Sequence, residues 1–183
     1  VNSINPEEIY YLAGLTSVGL SFEQPVECME SISLGTLNFL EAIKLNQKKI
    51  KFFNAGSSEC FGNTNKIIAN EKTVFAPRSP YATAKATAFW IVSNYRESYN
   101  LFCCTGILGN HESPLRNKRF VTKKIVSGVW DIVCKKSNEL RLGNLDTWRD
   151  WGWAPEYVEA MYLIMHSPEP EDYIIATGVT NSL

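Results

Sequence analysis

The chain lacks a long hydrophobic run. No apolar stretch in its 183 residues approaches the roughly 18 needed to span a bilayer, and no leader pattern opens it. It also lacks an excess of either charge: 18 Lys plus Arg stand against 19 Asp plus Glu, for a formal net charge of −1. Neither a nucleic-acid surface nor an anionic membrane surface is expected from that balance. Cysteine is sparse and unpatterned. Cys28, Cys60, Cys103, Cys104 and Cys134 form no C-x-x-C and no framework spacing, which reads as reduced thiols in a cytoplasmic protein. No metal site is expected. Finally, none of the 11 glycines belongs to a G-x-G-x-x-G, the turn whose backbone N–H groups cradle a dinucleotide pyrophosphate.

What is present is a globular composition, 45% hydrophobic and 20% charged, at a length that buries a real core. Strands alternate with helices. The pattern predicts strands at 8–13, 50–55, 102–108, 141–142 and 173–176, and helices at 26–45, 80–99, 120–135 and 155–166. Loops are expected through Pro77 and through Arg119. Such alternation argues for an α/β fold, a mainly parallel Rossmann-like sheet flanked by helices. Tyr157, Val158 and Met161 have helix-face spacing, and Trp148, Trp151 and Trp153 read as core or domain-junction packing.

The chemistry concentrates in two short segments. Tyr81 and Lys85 stand four apart behind Ser79-Pro80, a helix-start signal, so both project from one face of the helix. An ammonium so placed is expected to lower the phenol's pKa and equip it for proton exchange with a hydroxyl. Upstream, the apolar strand at 50–55 runs into Gly56, Ser57, Ser58 and Glu59. That puts a hydroxyl and a carboxylate at the C-terminal edge of the sheet, where open α/β folds bind ligands.

These residues resemble the extended short-chain dehydrogenase/reductase superfamily. Several blocks resemble the GDP-mannose 4,6-dehydratase family within it: EIYYLAG at 8–14, SFEQP at 21–25, SSECFG at 57–62, RSPYATAK at 78–85 and NYRESY at 94–99. GILGNHESPLR at 106–116, FVTKKI at 120–125, LGNLD at 142–146, RDWGWAPEYVEAM at 149–161 and IIATG at 174–178 continue the match in order. The NHESP and RDWG blocks are far more specific than the Tyr-Lys pair. The resemblance implies an internal fragment. Residues 1–108 would be the later part of an NADP-binding Rossmann domain with the catalytic residues. Residues 109–183 would be substrate-lobe segments interleaved with the last Rossmann elements.

The implied reaction converts GDP-mannose to GDP-4-keto-6-deoxy-mannose, with hydride passing from C4 to NADP and back to C6 as water leaves. Ser57, Glu59, Tyr81 and Lys85 match the catalytic positions. An elimination needs a second base beside the tyrosine, which is the part implied for Glu59. Leu12, Ala13, Thr16, His111 and Arg116 match cofactor-binding positions, as do Tyr81 and Lys85. Ser58, Glu59, Asn110, Lys124 and Arg149 match substrate-binding ones. Leu15 and Glu27 depart from residues common at their places. A cytoplasmic homo-oligomer, dimer or tetramer, is implied for the full-length protein. The alternatives are a dehydratase or epimerase for another nucleotide sugar, such as a GDP-heptose, or a non-catalytic fragment of such an enzyme. Glu59 argues against an epimerase.

Overall fold

Apolar strands with few charges pair in parallel, as their sequences require if both faces are to be covered. The computed structural model describes residues 1, 3–46, 49–64 and 67–183. β1 (Glu8–Tyr11) pairs with β2 (Lys51–Ala55), and β2 with β3 (Cys103–Leu108). β3 in turn pairs with β6 (Tyr173–Ile175), and all three pairings are parallel. The chain divides into two compact units, the first being Val1–Leu108 with Val158–Ile175 and the second Gly109–Tyr157 with Ala176–Leu183.

In the first unit, α1 (Val18–Glu23), α2 (Pro25–Met29), α3 (Gly35–Lys44) and α4 (Pro80–Tyr99) accompany the sheet. Phe52 and Cys103 pack with Tyr11, Leu40, Ile43, Val92 and Tyr95 in one core cluster. The next residue along β3, Cys104, meets Met165 of α6 (Ala154–Met165) instead, with the sulfurs 3.9 Å apart. Alternate strand residues thus feed two buried layers.

The single helix expected over 26–45 is broken. Between α2 and α3 lies a π-helical stretch, Glu30–Leu34, and α1 precedes them as a separate helix. The wide turn sends the Gly35 N–H to Glu30, and the Ser31 carbonyl accepts the Tyr11 hydroxyl at 2.6 Å. Gly35 makes room for that hydroxyl, since a Cβ there would lie 1.9 Å from it. Apolar periodicity cannot register a one-residue slip whose cause is a side chain on a distant strand.

The strand expected at 8–13 ends at Tyr11, leaving Leu12 and Ala13 exposed in a loop with Gly14 at φ +113. Residues 141–142, expected as a strand, lie in none. The helix expected at 120–135 is α5 (Val121–Val133), and Lys135 beyond it has left-handed φ 57.

The second unit contains three strands that periodicity missed in part or whole. β4 (Asn110–Glu112), inside the expected loop, pairs in parallel with β5 (Trp148–Trp153), and β5 pairs antiparallel with β7 (Thr180–Ser182). β4 and β7, at three residues each, are too short to show alternation. Trp148 and Trp153 are 61% and 48% exposed, which removes the core half of the expectation for them. Tyr157 and Met161 are buried as expected, but Val158 is exposed because it lies a third of a turn round α6 from Tyr157.

Candidate active site

β2 ends at Ala55, and the parallel register places its end beside those of β1 and β3. Gly56 lets the chain turn there against β3. Its N–H donates to Gly106 at 2.8 Å, and a Cβ would sit 2.7 Å from Thr105 Cγ2 and 2.9 Å from the Gly106 carbonyl. Ser57 follows, buried, and caps a short 3-10 helix, Ser58–Phe61, by accepting the Glu59 N–H at 3.3 Å. Ser58 and Glu59 are half-buried beside it.

α4 brings Tyr81 and Lys85 to this edge. Ser79 caps the helix by accepting the Ala82 N–H at 3.0 Å, with Pro80 at the first turn. A second serine, which the sequence reading did not single out, completes the cap: fully buried Ser21 of α1 accepts the Tyr81 N–H at 3.1 Å. Ser33 also reaches α4, donating to the Ala84 carbonyl at 3.0 Å. The only local signal for either is a small polar residue inside an apolar stretch.

Lys85 is not a surface lysine. It is 6% exposed, and its ammonium donates to the Ala55 carbonyl at 2.7 Å. Burial lowers its pKa from 10.5 to about 8. The expectation that Tyr81 is tuned downward is corrected by the structure. Burial pushes the Tyr81 phenol up to about 12, with the Ser57 hydrogen bond acting downward and Cys60, Glu59 and Cys28 acting upward. The Lys85 ammonium stands 5.9 Å from the Tyr81 ring centre, and desolvation of a phenolate outweighs a charge held there by a backbone carbonyl. Cys60 is buried, with its thiol pushed up to about 12 by desolvation.

Leu12, Ala13 and Thr16 are exposed on the loop after β1, at the same edge of the parallel sheet. A Cβ on Gly14 would lie 2.6 Å from Ile32, so this loop's backbone rests against the π-helical stretch while the neighbouring side chains stay open to solvent. An exposed loop on the C-terminal sheet edge fits a dinucleotide. Leu15 packs, with Tyr81, against the cluster of Cys28, Ile32, Ala84 and Ala88, which accounts for an apolar residue there. Glu27 is exposed.

The remaining candidates lie in the second unit. Asn110 and His111 are on β4, and the His111 ring stacks on Tyr157 with centroids 4.7 Å apart. Its Nδ1 is 3.0 Å from the Gly109 carbonyl. Arg116 is paired with Glu112 at 3.2 Å and lies 3.7 Å over the Phe120 ring. Lys124 is exposed on α5 and Arg149 on β5. Arg149 donates to the Trp148 carbonyl at 3.1 Å, while Asp150 accepts from the backbone of Thr177 and Gly178. A cavity of about 330 Å³ is lined by Glu112, Ser113, Pro114, Thr122, Lys123, Val126 and Trp153. Among the described residues, no cluster of His, Cys, Asp and Glu could hold a metal ion. Nor is any helix among the described residues long and apolar enough to cross a membrane.

The first unit therefore gathers Ser57, Glu59, Tyr81 and Lys85 within one sheet edge. Solved structures share its fold. RMD from Pseudomonas aeruginosa complexed with NADPH superposes with a TM-score of 0.89 at 23% identity, over 96% of this chain and 62% of that one. The Thermus thermophilus UDP-glucose 4-epimerase complex with NAD gives 0.83 at 26% identity, over 99% and 60%. A GDP-mannose 4,6 dehydratase of Drosophila melanogaster is 47% identical across the whole of this chain and 47% of its own length. One from Sinorhizobium fredii is 48% identical, across the whole of this chain and 53% of its own length. The chain spans about half the length of these curated relatives. The family profile of GDP-mannose 4,6 dehydratase matches residues 1–183, and the chain belongs to that family.

Proposed function

We propose that the protein carrying this chain converts GDP-mannose to GDP-4-keto-6-deoxy-mannose. The observation that carries the reading is the gathering of Ser57, Glu59, Tyr81 and Lys85 at one sheet edge in a chain of this family. NADP, when bound, supplies the reversible oxidation and reduction of the sugar carbons. Lys85, Leu12, Ala13 and Thr16 would hold it in the first unit.

The chain's own residues handle the protons. Ser57 hydrogen-bonds the sugar O4 and, through its bond to Tyr81, stabilises the phenolate. Tyr81 takes the O4 proton. Once C4 is a ketone, the C5 proton becomes acidic, and the half-buried Glu59 carboxylate removes it as water leaves C6. Ser58, half-buried beside Glu59, orients the sugar. The protein works in the cytoplasm as a homo-oligomer.

The test is to incubate the complete protein with GDP-mannose and NADP and look for the 4-keto-6-deoxy product. Product formation abolished by Tyr81→Phe or Glu59→Gln supports the reading. A folded protein that binds the cofactor yet leaves GDP-mannose unchanged sinks it.

A further inference from the structure

We infer that Ser21 is a positioning residue for Tyr81, acting through the tyrosine's own peptide N–H; the inference rests on the function proposed above. Tyr81 is the second residue of α4, where a backbone N–H has no acceptor within the helix. Ser79 accepts the next such group, on Ala82, at 3.0 Å. The Tyr81 N–H goes instead to Ser21 Oγ at 3.1 Å, across 60 residues of sequence. The Ser21 hydroxyl has one proton, and it is spent on the Val18 carbonyl at 2.7 Å. Its lone pairs are thereby aimed at Tyr81, and with Ser21 fully buried no water stands in for them.

The bond ties the tyrosine's backbone to the segment that presents the cofactor-side loop. α1 starts at Val18, capped by Ser17, whose hydroxyl accepts the Leu20 N–H at 3.3 Å, immediately after exposed Thr16. Leu15, from the same loop, packs with the Tyr81 ring on one apolar cluster. Tyr81 is therefore held by α1 at its peptide, while its side chain and Leu15 rest on the same buried cluster. Misplacing a reacting group by about 1 Å costs on the order of a hundredfold in rate, so a lost anchor at this peptide is read in turnover.

Ser33 supplies the matched comparison. It is as deeply buried and also bonds α4, but at the Ala84 carbonyl. In the complete protein assayed with GDP-mannose, Ser21→Ala should lower kcat about tenfold or more while KM stays within about twofold, the pattern of a lost transition-state alignment. Ser33→Ala should leave kcat within about twofold, and Ser21→Thr, which keeps the hydroxyl, should recover most of the loss. Equal falls in Ser21→Ala and Ser33→Ala, or a change confined to KM, would overturn the inference. If Ser21→Ala does not fold, Ser21→Cys takes its place, its sulfur being a weak acceptor, with the same expectations. If the unaltered protein does not turn over GDP-mannose, the reaction is wrong and hydrogen exchange decides this point alone. The Tyr81 amide should then exchange faster in Ser21→Ala than in Ser33→Ala, and equal protection would overturn it.

Discussion

Lys85 donates to the carbonyl of Ala55 at 2.7 Å, so the last residue of β2 holds the ammonium one helical turn from Tyr81. The charge is anchored by the strand that carries Ser57 and Glu59 at its end, which fixes helix and strand chemistry in one frame. The same burial lowers the lysine's pKa to about 8 and raises the tyrosine's to about 12.

That burial has a sign that can be measured. Lys85 titrates at about 8 in the folded chain, against an ordinary value of 10.5. Between these values the unfolded chain binds more protons, so this group makes stability rise with pH across the window. Relative to Lys85→Met, the native protein should gain about 3 kcal/mol from pH 8 to 10.5 in urea unfolding. A constant difference between the two proteins would show that Lys85 is not desolvated.

Glu59→Gln keeps the shape of the side chain and removes its carboxylate. Turnover should fall about a hundred- to ten-thousandfold. Incorporation of solvent deuterium at C5 of the sugar, followed by mass spectrometry, should fall with it. Exchange at C5 that continues at the native rate would assign that proton to another residue.

Tyr81→Phe should lose activity on a similar scale while keeping its fold. The raised phenol pKa gives the native protein an alkaline liability, because the folded chain holds its proton while the unfolded chain releases it between 10 and about 12. Tyr81→Phe should therefore lose less stability than the native protein as pH rises through that range, in thermal melts.

Gly56→Ala tests how tightly the site's turn is set against β3. The added methyl would meet Thr105 Cγ2 at 2.7 Å and a backbone oxygen at 2.9 Å, and backbone cannot rotate away. We expect a loss of about 1–3 kcal/mol in chemical denaturation. An unchanged midpoint would mean that β2 and β3 separate easily here.

Arg96 ties the far end of α4 to the sheet. It donates to Cys103 O and Asp172 Oδ1, both at 2.9 Å, and Asp172 also accepts the Thr105 N–H at 2.7 Å. Arg96→Ala strands a largely buried carboxylate and should cost about 3–5 kcal/mol. If Arg96→Ala and the double variant with Asp172→Asn are equally unstable, the stranded charge is not the cause.

The alternation of elements, the start of α4 at Ser79-Pro80 and the position of Ser57 and Glu59 beyond β2 were all legible locally, because caps, prolines and apolar runs act over a few residues. So was membership of the family, carried by blocks such as NHESP and RDWG. The break of the 26–45 helix was not, since its cause is Tyr11 reaching Ser31 from another element. Nor were β4, β5 and β7, whose ladders exist only once the chain has folded. The direction of the Tyr81 pKa shift ran against the local reading because a spacing of four residues says nothing about desolvation. The sequence by itself determined which groups arrive at the sheet edge. Only the tertiary structure decided how far water is excluded from them, and that it is buried Ser21, distant in the chain, that takes the N–H of Tyr81.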